Sequence, residues 1–131
     1  MYQPLVLLPG LICDQRLWRD VIDGLADRIA PMVADLRLDD SIVSMAKRTL
    51  AVAPPRFTLA GLSMGGYVAL EIIRQAPHRV THLALLDTSA RADTEERRET
   101  RRKGIEMVRQ GKFIGVSKGL LGNLIAPHHL G

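Results

Sequence analysis

The stretch from Phe57 to Arg74, FTLAGLSMGGYVALEIIR, constrains the fold of this chain more than any other. It begins as a short apolar run, Phe57-Thr58-Leu59-Ala60, and passes through Gly61-Leu62-Ser63-Met64-Gly65. It leaves as a segment in which Ala69, Ile72, Ile73 and Ala76 recur at helical spacing, with Glu71, Arg74 and Gln75 on the opposite side and Pro77 marking the end. Strand, tight turn and helix in direct succession put a serine on a sharp, strained corner with its hydroxyl clear of the sheet. Gly61 and Gly65 suit that corner, because strand and helix approach closely where a Cβ would obstruct them. The simpler alternative is a glycine-rich turn in another α/β domain, with Ser63 only capping a helix. A phosphate-binding loop is argued against by the absence of both a Gly-Lys-Ser/Thr ending and a G-x-G-x-x-G pattern.

The segments on either side repeat the same alternation. Leu5-Val6-Leu7-Leu8, stopped by Pro9-Gly10, reads as a strand buried on both faces. Trp18, Val21, Ile22, Leu25 and Ile29 then mark one helical stripe, which Pro31 ends. The residues from Met32 to Leu38 read as a second strand. Asp39-Asp40-Ser41 offers a helix cap, and Ile42, Met45, Ala46, Thr49, Leu50 and Ala53 form the buried stripe of the following helix. A fourth strand runs from Val80 to Asp87. Strands alternating with helices over residues 5–87 predict an α/β fold, a parallel sheet with helices on both faces joined by right-handed crossovers. After Ala90 the character changes. The residues from Arg91 to Gly104 carry almost no large apolar side chain but offer helix pairs such as Glu99 with Arg102 and Lys103. Ile105, Val108, Phe113, Ile114, Val116, Leu120, Leu121, Leu124 and Ile125 supply an apolar face beyond it, and residues 112–125 are expected to be helical despite their glycines.

With G-x-S-M-G-G in strand-turn-helix context, the chain resembles the α/β-hydrolase superfamily, in its small serine esterase and lipase-like branch. The resemblance covers residues 4 to about 90. It implies that the four strands correspond to the superfamily's third to sixth, in spatial order 4-3-5-6. It also implies that residues 1–90 are the N-terminal part of the hydrolase core, and residues 91–131 the start of a helical cap or lid. The function implied is hydrolysis of carboxylic esters or related acyl compounds, small molecules, with no cofactor and no metal. Ser63 would be the nucleophile. The backbone N–H groups of Met64 and of Leu11, in Pro9-Gly10-Leu11, would form the oxyanion hole, where one donor contributes roughly 3 kcal/mol to transition-state stabilisation.

A serine nucleophile needs a base and an orienting acid, which the family places after its seventh and eighth strands. The sequence holds no counterpart of those strands, so the chain is expected to be truncated before them. Without its partners a triad serine leaves at most a residual rate of about 10³ to 10⁴ over water. Asp87, at a strand end, is the alternative acid to weigh. His78 and His82 read as structural or exposed, and His128 and His129 as part of the C-terminal tail, where metal binding by the pair stays open but has no further ligand cluster to support it. Cys13 reads as packing; as the single cysteine of 131 residues it allows no internal disulfide.

The net charge of +4 does not point to nucleic acid. Residues 91–112 hold eight Lys and Arg against five Asp and Glu, so most of the excess sits in one mixed-sign segment that reads as a solvated helix face. No apolar run approaches the roughly 18 residues of a membrane span, and Met1-Tyr2-Gln3-Pro4 lacks a basic signal region, which makes the cytoplasm the expected location. The strand from Val80 to Asp87 is apolar and has no later strand to pair with, so a homodimer through that edge is expected. Two other readings stay open: a non-catalytic, hydrolase-like interaction module, and a peptidase, amidase or carbon-carbon hydrolase of the same fold.

Overall fold

A computed structural model of the chain describes residues 2–111. The chain divides after Ala90 into two compact units. In the first, strands β1 (Gln3–Leu8), β2 (Ile29–Val33), β3 (Phe57–Leu62) and β4 (Val80–Leu86) form a four-stranded sheet in the order β2-β1-β3-β4. All three pairings are parallel. The order is the 4-3-5-6 arrangement expected from the sequence.

Helices α1 (Arg19–Leu25), α2 (Ile42–Val52) and α3 (Met64–Gln75) connect the strands. Because side chains alternate along a strand, β1 contributes to two cores. Val6 and Leu8 pack with Phe57, Leu59, Met45, Ala46, Val68, Ala69 and Ile72 on the α2 and α3 side. Leu5 and Leu7 pack with Ala60 and Trp18 on the other side, joined by Ile22, Ile29, Val33 and Leu62. The expected stripes of α2 and α3 face the first of these cores. Thr49 is buried there because its hydroxyl donates to the Met45 carbonyl one turn back, at 2.8 Å. Ser41 caps α2 by accepting from the Ser44 N–H at 3.1 Å.

The second strand differs from its sequence assignment. It runs over Ile29–Val33 rather than from Met32 to Leu38, and Leu36–Leu38 instead form a short 3-10 helix capped by Asp35. Ile29 therefore belongs to β2 and not to the preceding helix, which ends at Leu25. Pro31 sits inside the strand, opposite Leu5. Proline is tolerated because β2 is an edge of the described sheet, where a missing N–H breaks no second ladder.

In the second unit, α4 (Glu95–Arg109) is capped by Thr94, whose hydroxyl accepts from the Arg97 N–H at 3.2 Å. The expected Glu99–Arg102 pair is present at 3.6 Å, and Arg102 also reaches Glu95 at 3.7 Å. The helix expected over 112–125, its apolar residues from Phe113 on, and His128 and His129 lie outside the described residues. No helix among the described residues is long and apolar enough to cross a membrane.

Candidate active site

Ser63 stands between the last residue of β3 and the first of α3, at φ 54° and ψ −114°. A non-glycine residue held there costs on the order of 1–3 kcal/mol and persists only where its surroundings over-determine it. The surroundings do so. The Ser63 N–H donates to the Leu86 carbonyl at 3.0 Å, extending the β3–β4 pairing one residue past the strand end. The Ser63 carbonyl accepts from the Gly66 N–H at 2.9 Å and from the Thr88 hydroxyl at 2.7 Å.

The two glycines bracketing Ser63 are there because backbone passes through the space of their missing side chains. A Cβ on Gly61 would strike the carbonyl group of Gly65, and a Cβ on Gly65 would strike the Leu8 and Pro9 carbonyls. The loop after β1 is thus laid directly against the start of α3. A Cβ on Gly10 would come within 3.2 Å of Leu62 Cδ2 and 3.6 Å of Ser63 Cβ, so Gly10 borders the serine. The loop closes as a turn in which the Cys13 N–H donates to the Gly10 carbonyl at 3.1 Å, with Ile12 at φ 64°. Cys13 Sγ lies 3.5 Å from the Leu11 carbonyl, a local contact within that turn.

The positive-φ non-glycine residues among the described residues are Ile12, Ser63 and Asp87. They follow β1, β3 and β4, so all three lie at the carboxyl end of the parallel sheet. In open α/β sheets that end is where ligands bind.

The other sequence candidates fall elsewhere. His82 pairs in register with Thr58, five residues before Ser63 along β3, or about 16 Å away at the usual strand rise. It lines a shallow groove of about 370 Å³ at the opposite end of the sheet, together with Gln3, Phe57 and Thr81. His78 is exposed in the 3-10 turn Pro77–Arg79. Asp87 directly follows Leu86, the register partner of Leu62, and so sits at the Ser63 end. Asp14 and Asp35 also lie near that end, beside a crevice of about 40 Å³ lined by Pro9, Cys13 and Ala34. Each is committed to an arginine two residues on, Arg16 and Arg37 respectively. The arginine hydrogen bonds lower both carboxyls to about 2. Carboxylates saturated in this way are structural caps of 3-10 turns rather than partners for a base. No cluster of three metal-ligating side chains occurs among the described residues.

Sequence reasoning missed Thr88. No periodicity marks it; the register of β4 against β3 brings it to Ser63.

No protein-family model matches the chain. It is 32% identical over 90 residues to the pimeloyl-[acyl-carrier protein] methyl ester esterase of Nitrosomonas europaea, an alignment covering 63% of this chain and 36% of that protein. The enzyme of the same name from Pectobacterium carotovorum is 37% identical over 93 residues, covering 65% and 36%. A solved thermophilic esterase from Thermogutta terrifontis superposes with a TM-score of 0.82 at 30% identity, over 92% of this chain and 49% of that one. The chain thus spans little more than a third of the two curated relatives. By sequence and by fold together, the chain has the N-terminal portion of the α/β-hydrolase fold and is similar over that portion to esterases.

Proposed function

We propose that Ser63 is the nucleophile of a carboxylic-ester hydrolase. The observation that carries this reading is its strained φ of 54° at the carboxyl end of the sheet, held by hydrogen bonds to both its N–H and its carbonyl. Such strain has no structural purpose in a mere helix cap, and Ser63 makes no side-chain cap bond to α3. Ser63 Oγ attacks the ester carbonyl carbon. The carbonyl π electrons move to oxygen, and the resulting oxyanion is met by the Met64 N–H at the positive end of α3 and by the Leu11 N–H from the bordering loop. Collapse expels the alcohol, which takes the serine's proton through a base, and water then releases the acid. The family resemblance puts that base and its orienting acid in later strands. Relatives named methyl ester esterases make a methyl ester the first substrate class to test.

A fluorophosphonate probe tests the nucleophile. A single covalent adduct, formed slowly because the resemblance puts the base in later strands, is expected on the native protein and none on Ser63→Ala. A folded protein that takes no label would instead identify a non-catalytic, hydrolase-like module.

We also propose that β4 pairs with its counterpart in a second copy. Leu83, Leu85 and Leu86 are each about 40% exposed, and β4 has β3 as its one neighbour in the described sheet. An apolar strand with an unpaired edge favours antiparallel pairing across a two-fold axis.

A further inference from the structure

We infer that Thr88 is a positioning residue for Ser63, fixing the serine's peptide in its strained orientation; the inference rests on the nucleophile reading of Ser63. Three observations converge on it. Thr88 Oγ1 donates to the Ser63 carbonyl at 2.7 Å, a short bond between half-buried groups. The same carbonyl accepts from the Gly66 N–H at 2.9 Å, so both of its lone pairs are used. A Cβ on Gly66 would strike Oγ1, Cγ2 and Cβ of Thr88, so the threonine occupies the space of the missing side chain.

This explains both glycines of Met64-Gly65-Gly66. Gly65 admits the carbonyls of Leu8 and Pro9, and Gly66 admits Thr88. The chain reaches this place by its own strained turn. Leu86 receives the Ser63 N–H, Asp87 reverses the backbone at φ 46°, and Thr88 arrives beneath the serine. The peptide between Ser63 and Met64 carries the carbonyl that Thr88 holds and, at its other end, the Met64 N–H. Rotation of that peptide would turn the N–H away from the oxyanion position. Thr88 therefore acts on the reaction through the direction of one donor, without touching substrate.

The test compares Thr88→Val, which keeps the shape and loses the hydroxyl, with Thr88→Ser, which keeps the hydroxyl. Fluorophosphonate labelling is followed over a range of probe concentrations, separating the limiting rate of inactivation from the probe's affinity. Thr88→Val should lower the limiting rate about tenfold, the effect of one lost hydrogen bond, with affinity little changed. Thr88→Ser should restore most of that rate. Equal limiting rates for the native protein and Thr88→Val, or no rescue by serine, would overturn the inference. Amide hydrogen exchange at Ser63 and Gly66 supplies a second readout that needs no reaction. Thr88→Val should speed it about tenfold relative to the rest of β3, again with rescue by serine. A native protein that takes no label would refute the nucleophile reading. Unchanged exchange would refute the positioning role.

Discussion

At the scale of single residues, the turn at Ser63 is an exercise in removed Cβ atoms. Gly65→Ala sets a methyl against the carbonyls of Leu8 and Pro9, at the end of β1, neither of which shifts without moving that strand. Overpacking of this sort costs about 1–3 kcal/mol and often more where the obstacle is backbone. Urea denaturation should place Gly65→Ala and Gly61→Ala at least that far below the native protein. Gly24→Ala is the control, since nothing lies within 4 Å of its added Cβ, and it should match or exceed native stability. The pattern at 61–66 was legible in the sequence because the serine, its glycines and the helix after it are adjacent in the chain. Thr88 was not, since it lies 25 positions away and is delivered by strand register.

At the scale of elements, the join between α2 and β3 depends on Arg79. Its guanidinium donates to the carbonyls of Pro55, Leu50, Ala53 and Pro54 at 2.8 to 3.1 Å, and lies 5.7 Å from the centre of the Phe57 ring. One planar fork thereby satisfies the open end of α2 and the Pro54-Pro55 bend that feeds β3. Lysine cannot reproduce four directed bonds. Arg79→Lys should lower stability by about 1–3 kcal/mol, read as a shift in the denaturation midpoint at unchanged slope. On α3, Glu71 accepts from Arg74 and from Gln75, whose amide also donates to the Val43 carbonyl of α2. The Arg74 hydrogen bonds, then that of Gln75, lower the Glu71 carboxyl from 4.5 to about 2. Between those values the unfolded chain binds the proton that the folded chain excludes, so stability rises with pH in that window. The contribution is complete above about 4.5 and is lost as pH falls towards 2. Glu71→Gln should flatten the pH dependence of the denaturation midpoint between pH 5 and 3 relative to the native protein; equal slopes would contradict this assignment. Element order was legible because apolar runs and helical stripes alternate cleanly. The misplaced β2 shows the limit: Ile29 continues the spacing of a helix and Pro31 resembles a stop, whereas an edge strand accepts both.

At the scale of the molecule, the sheet gathers its strain and the proposed chemistry at one end, and leaves an apolar strand along one side. If β4 pairs between copies, light scattering at tens of micromolar should give twice the monomer mass, and Ala84→Pro, which places a ring in the middle of the strand, should abolish the dimer. A monomer with or without that substitution would remove the pairing proposal. The proposed site was legible in part. Ser63 and its turn follow from local sequence. A base does not, because the histidines within the described residues lie in a surface turn and at the far end of the sheet. The central claim is that the fold, and not the serine alone, makes Ser63 reactive. Fluorophosphonate modification of native and urea-unfolded protein side by side, mapped by peptide mass spectrometry, tests it most directly. The account predicts an adduct on Ser63 alone in the folded protein and its loss on unfolding. An unmodified Ser63 in the folded protein, or equal modification in both states, would contradict it.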